Sequence, residues 1–307
     1  MNRKQYLTAL IAIITIGLAL IVTNTIWAWI DWLWVVLIMF AAYMYFKYKL
    51  TGPLQVFSTK FNMLVDYDLD VQEAKKLCNE RVNQAPTSSI KNLYMVYLGM
   101  ASYYAGDYED AIKVFNQIEL KKLNNLYHVL IFAFSAYSAN EIGDEDTFEL
   151  SLERIKNIQG TVNQKYLAFV SSYVQVLEAI KNLEVNPEHY REVIEAQFAR
   201  NDGYLATKLT YNYRLAHYYK VMNDELEMDK CLAKVIANGK EHHTAIQARK
   251  MFKNNVDIND YVFQEEEVED IENIEDQQLL DTSGIETDNI EEIETIEENE
   301  EIEDENK

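Results

Sequence analysis

Two apolar runs near the start of the chain restrict its architecture more than any other feature. Leu7 to Val22 is broken only by Thr8, Thr15 and Gly17, and Ile26 to Phe46 follows after Thr23-Asn24-Thr25. Hydrocarbon offers no partner to a backbone N–H or C=O, so such a run crosses it only as a helix or within a closed barrel. About 20 apolar residues are needed to span the roughly 30 Å of a bilayer core as a helix. Both runs are near that length, the first at its short end. The short polar break between them predicts a transmembrane helical hairpin over residues 1–50, with spans at about 7–22 and 26–46.

Charge sets the expected orientation. Arg3 and Lys4 precede the first run, Lys47 and Lys49 follow the second, and the connecting loop carries no base. Positive flanks stay on the cytoplasmic side, so both ends are expected there. Trp27, Trp29, Trp32 and Trp34 gather at the outer end of the second run, and Tyr43, Tyr45 and Tyr48 at its inner end, as interfacial aromatics do. Asp31 lies one or two turns from the loop and has two readings: an anchor at the headgroups, or a polar contact with a partner helix. A cleaved signal peptide is disfavoured, because no small-x-small pair follows the first run and a second run comes at once. Residues 265–307 hold 21 of the 50 acidic residues and one lysine, which leaves 29 acids against 27 bases before them. The net charge of -22 therefore belongs to the tail, and the near-neutral body argues against a nucleic-acid partner, which requires basic surface.

After Gly52-Pro53, expected to end the second membrane helix, the pattern is helical to about Asn255, with breaks every 15 to 20 residues. Nine glycines and three prolines in 307 residues leave few turns for a β-rich fold. Cys78 and Cys231 have no metal or disulfide spacing and read as buried core thiols. Within this region Tyr97 to Phe115, YLGMASYYAGDYEDAIKVF, reads as helix, turn, helix. Gly99 and Ala111 are small where two helices would cross, and Gly106 supplies conformational freedom at the turn.

Leu98-Gly99, Gly106-Asp107-Tyr108, Ala111 and Phe115 sit at the offsets of the tetratricopeptide repeat (TPR), and the segment resembles that family. Met95 stands where the family often has tryptophan. Weaker copies flank it. Gln55–Val65 precedes a helix carrying Ala74 and closed by Pro86; Leu126–Glu141 pairs with Asp144–Ile158 across Gly143, with Phe148 in place of alanine. Gln164–Leu183 with Pro187–Ala199, and Tyr204–Met222 with Glu225–Ala237, complete five pairs, and His242–Phe252 reads as a closing helix. The resemblance implies a right-handed α-solenoid over residues 53–255 whose first helices line a protein-binding groove. On that face the central repeat would present Leu93, Val96, Met100, Tyr103 and Tyr104, and the fifth pair Tyr213, Arg214, His217 and Lys220. Val96 and Met100 occupy the places of the Lys/Asn clamp with which family members hold acidic chaperone tails, so that ligand is not expected. The basic, aromatic face of the fifth pair is either an ordinary solvated surface or a site for an acidic peptide.

No catalytic or metal constellation accompanies this pattern. The adjacent His242 and His243 point about 100° apart on a helix, His128, His189 and His217 are isolated, and no phosphate loop, nucleophile elbow or HExxH occurs. No enzyme activity, cofactor or small-molecule substrate is expected. In the tail, Ile271 and Ile274, then Ile290, Ile293 and Ile296, recur at spacings of three among acids. Disorder is the default for such a composition. The tail reads as a solubilising segment, a motif for a basic partner, or an internal ligand for the Arg214/Lys220 face. The whole chain reads as all-α: a cytoplasm-facing adaptor at a bacterial plasma membrane, holding protein partners there. Two alternatives stay open: a regulator acting through its membrane helices on an envelope enzyme or protease, and an acidic-tail chaperone.

Overall fold

The computed structural model describes residues 3–27, 32–199 and 204–263; these are helical with short connections, and no strand occurs among them. Trp29, Asp31 and the acidic tail lie outside the described residues. The first helix, α1, runs Arg3–Trp27. Its segment Leu7–Thr25 has a mean hydropathy of 2.3 and is the one stretch among the described residues long and apolar enough to cross a membrane. It presents Ile11, Ile16 and Leu18 outward, each more than half exposed. The second run appears as a shorter apolar stretch, Trp34–Tyr45, within α2. The two helices approach closely where a Cβ on Gly17 would lie 2.7 Å from the Met39 methyl.

The α2 helix corrects one expectation. It continues without a break from Trp32 to Asn62, with Pro53 inside it, so Gly52-Pro53 does not end the helix. Proline holds φ near the helical value and forfeits one hydrogen bond to the carbonyl four residues back. Just beyond it, Leu54, Phe57 and Phe61 are buried in the core of the domain, and burying such side chains gains about 1.5–3 kcal/mol each. That gain offsets the lost bond. At 1.5 Å per residue, α2 is a rod about 46 Å long joining the apolar segment to the helical domain.

Five pairs of helices follow in order. Their second members are α3 (Val71–Gln84), α5 (Tyr108–Phe115), α7 (Glu145–Gln159), α9 (Pro187–Phe198) and α11 (Glu225–Asn238). Their first members are the end of α2, α4 (Ser88–Tyr104), α6 (Asn125–Ile142), α8 (Gln164–Lys181) and α10 (Leu205–Val221). Each second helix is preceded by Asp70, Asp107, Asp144, Asn186 or Asp224. All but Asp107 accept a hydrogen bond from a backbone N–H in the first turn, at 3.0–3.3 Å. Asp107 instead pairs with Lys75 at 2.6 Å.

In four of the five turns the residue just before that cap is left-handed: Leu69, Gly106, Gly143 and Asn223, at φ of 53°, 82°, 73° and 58°. The cap's own N–H then donates back to the preceding helix. Asp107 reaches Ser102, Asp144 reaches Ala139 and Asp224 reaches Tyr219, each carbonyl five residues earlier and 2.9 Å away. This closes one helix and opens the next with the same residue. In the first turn the bond spans six residues, from Asp70 to Leu64. The extra residue is taken up by a π-helical turn at Met63–Tyr67, which buries Leu64 and Val65.

The row of pairs curves until its end meets its beginning. A last helix, α12 (His243–Met251), packs against α10, α11 and α4. Lys240 Nζ donates to the Asp68 carbonyl at 2.6 Å. Leu69 joins the cluster of Leu209, Leu232 and Val235 at the other end of the chain. Cys78 and Cys231 are buried free thiols, and burial pushes the Cys231 thiol up to about 11.

Candidate binding site

The helix-crossing residues of the second pair set the floor of the domain. A Cβ on Gly99 would fall 2.3 Å from the Phe115 ring, so only glycine allows this approach of α4 to α5. Ala111 and Leu98 are buried beside it. With α4 held this way, its last turn points Tyr103 and Tyr104 toward the inside of the curve.

There they meet side chains of every later first helix. A cavity of about 280 Å³ is bounded by Asp66 of the π-helical turn, Tyr103 and Tyr104 of α4, Phe134 and Tyr137 of α6, Phe169 and Tyr173 of α8, Phe198 of α9 and Arg214 of α10. A depression of about 440 Å³ beside α7 is larger, but residues of that one helix, Glu149 to Lys156, form its whole lining, so it encloses nothing.

Arg214 is the one basic residue of the cavity wall among the described residues. Its guanidinium lies over the Tyr137 ring at 5.0 Å and the Phe198 ring at 5.3 Å, contacts worth roughly 0.5–2 kcal/mol each where water is excluded. Its Nε is buried with no hydrogen-bond partner, and among the described residues no carboxylate comes within 4.0 Å of it, Glu141 acting on it from further away. The Tyr190 hydroxyl donates to the Arg214 carbonyl at 3.1 Å. Burial raises the Tyr103, Tyr104, Tyr137 and Tyr173 phenols above their usual range and holds Tyr190 at about 12. At neutral pH these hydroxyls are therefore uncharged donors and acceptors around one cation.

Behind this wall lies a second buried cluster. Tyr213 donates to Glu141 at 3.0 Å; burial holds the Glu141 carboxyl above its ordinary range. The Tyr108 hydroxyl is 3.2 Å from His243 Nδ1, and Gln247 donates to the same hydroxyl at 3.2 Å. His242, the N-cap of α12, has Nδ1 2.8 Å from the Thr244 hydroxyl, while its Nε2 is buried without a partner. Burial lowers His242 to about 3 and His217 to about 4, and lowers His243 as well, so all three rings are neutral at pH 7. Among the described residues no group of three His, Cys, Asp or Glu is placed to share a metal ion.

The expected groove residues divide. Leu93, Val96, Tyr103 and Tyr213 are at most 5% exposed, so Leu93 and Val96 are core residues rather than parts of an open surface. Their helix packs against α3, α5 and α6. Met100, Tyr104, Arg214 and His217 are half-buried and Lys220 is exposed. Tyr103, Tyr104 and Arg214 were expected on two faces a hundred residues apart; they line one cavity. The remaining rings on the wall carry a readable signal: Tyr137 lies 34 residues after Tyr103, one repeat length, and Tyr173 lies 36 further on.

The chain is thus an all-helical protein of paired helices, with an aromatic cavity enclosing one cation. No known family model, curated protein or solved structure matches it.

Proposed function

We propose that this chain is a membrane-anchored interaction protein in which TPR-like helix pairs hold a protein partner at the cytoplasmic face of the membrane. The observation that carries the reading is the cavity: four successive first helices contribute to one aromatic, cation-bearing recess, the kind of concave site in which a few placed polar groups fix a ligand. The repeated left-handed-residue-then-cap turns support a repeat architecture, and the unbroken α2 supports an anchor rigidly joined to it. In this reading α1 and the apolar part of α2 both span the bilayer, with both ends of the chain and the helical domain cytoplasmic. The role is binding rather than catalysis.

A photo-crosslinking residue at Ser172, on the cavity wall, tests this in membranes. The same partner should be trapped by the intact chain and by one whose residues 1–50 are exchanged for an unrelated anchor, and it should be lost in Tyr104→Ala. A crosslink that survives Tyr104→Ala overturns the cavity as the binding site. A crosslink that disappears on anchor exchange assigns the function to the membrane helices instead.

A further inference from the structure

We propose that the cavity is occupied by the chain's own acidic tail, with Arg214 binding a tail carboxylate and the aromatic wall an adjacent isoleucine. The inference rests on the cavity being a binding site, as above, and adds what fills it until a protein partner displaces the tail.

Arg214 supplies the first argument. A guanidinium is always charged, and one withdrawn from water calls for a charged or polar partner. Here the rings of Tyr137 and Phe198 flank the cation, no carboxylate among the described residues is within 4.0 Å, and Nε has no partner. Glu141, behind the wall, attracts Arg214 electrostatically while accepting its hydrogen bond from Tyr213. Asp66, the one acid on the wall among the described residues, already has an interaction of its own. Glu141 acts on Arg214 only at longer range, so Arg214 keeps in its Nε a donor that a carboxylate can take. A carboxylate meeting an arginine in a water-poor site makes a charge-assisted hydrogen bond, stronger than one between neutral groups.

The second argument is size and composition. About 280 Å³ holds a side-chain-sized group and not a helix. The tail offers Ile290, Ile293 and Ile296 with glutamates between them, so apolar and acidic groups are presented side by side along one segment. The acids of residues 265–307 far outnumber the single lysine there, so the tail finds its counter-charges elsewhere.

The third is where the tail starts. Phe263 N donates to Asn238 at 2.9 Å, and Lys208 lies 5.8 Å from the Phe263 ring. Lys208 belongs to α10, the helix that carries Arg214 and also contributes Thr207 and Thr210 to the cavity wall. From Phe263 to Ile290 an extended chain reaches up to about 90 Å, more than the expected diameter of a domain this size. Tethering also raises the effective concentration of the tail to roughly millimolar, so weak individual contacts suffice.

A protease site inserted after Phe263 provides the test. The full chain is purified in detergent, and the tail is then cut and removed at high salt. A fluorescent peptide carrying residues 286–300 is titrated into the tail-free body and into the uncut chain, following anisotropy. Binding should saturate on the tail-free body and be roughly tenfold or more weaker on the uncut chain, where the tethered tail competes. Tail-free Arg214→Met should lose binding. So should Thr210→Trp, which keeps Arg214 but fills the cavity; far-UV circular dichroism of both variants should match the parent. No binding to the tail-free body overturns the proposal, as does binding indifferent to both variants. Equal binding to cut and uncut chains also overturns it and gives the cavity to another protein's acidic segment. If the Ser172 crosslink to a partner persists through any of these failures, the adaptor reading stands and the tail assignment alone falls.

Discussion

Two glycines show how differently one residue type is required. Gly143 sits at φ 73°, and an added Cβ would meet nothing within 4 Å. Its requirement is backbone conformation alone, and Gly143→Ala should cost about 1 kcal/mol, the price of a left-handed L-residue. Gly99 has ordinary helical geometry, but its Cβ would lie 2.3–2.8 Å from three atoms of the Phe115 ring. Gly99→Ala must displace that ring from the core, an overpacking change of about 1–3 kcal/mol. The two are separable by combining each with Phe115→Leu. That second change should rescue much of Gly99→Ala and leave Gly143→Ala unaffected, as read from urea midpoints.

The turns give a parallel contrast at the scale of elements. Asp224 accepts from Glu227 N at 3.1 Å, so Asp224→Ala removes a true N-cap and should destabilise by about 1 kcal/mol. Asp107 stands at the equivalent place but makes no side-chain cap bond. Its pairing with Lys75 is solvent-exposed, and Asp107→Ala should cost under about 1 kcal/mol. Equal losses in thermal unfolding would show that the turns do not differ as described. The turns also show what a reading of residues reaches. Gly106-Asp107 and Gly143-Asp144 are legible because glycine before an acid favours a left-handed residue followed by a cap. Leu69 is not, since a β-unbranched apolar residue gives no sign of φ 53°; only burial against Leu209 and Leu232, far away in sequence, holds it there. Pro53 misleads for a related reason: proline signals a helix end, and packing of Leu54, Phe57 and Phe61 overrides it. The cavity was half-legible. The repeat resemblance places Tyr103, Tyr104 and Arg214 on inward faces of their helices, but it carries no information on which faces meet after the row has curved.

For the molecule as a whole, the decisive contact is the return of α12 to the first pairs, and it is built around neutral histidines. His242 and His243 are at most 2% exposed and stack near Tyr103, Tyr104 and Tyr108. Both have pKa values depressed by burial below the 6.5 of a free imidazole, His242 to about 3. Above pH 6.5 neither state takes up a proton and the histidines impose no pH dependence. Below it the unfolded chain protonates first, so stability falls steadily as pH drops from 6.5 toward 3. At pH 5, His242 alone removes about 2 kcal/mol. His243 adds to the loss in the same direction, as does His217, lowered to about 4. Glu141 acts oppositely: its raised pKa means the folded state gains a proton before the unfolded one, which restores part of the loss. Arg214 keeps its charge throughout, and the tyrosines do not titrate in this range. Urea unfolding at pH 7 and pH 5 measures the sum. His242→Asn keeps an acceptor for the Thr244 N–H and cannot titrate, so it should narrow the difference between the two pH values by about 2 kcal/mol, whatever it does to stability at pH 7. An unchanged difference would mean that His242 does not sit neutral in the contact that closes the row, and that the two ends of the chain are held together in some other way.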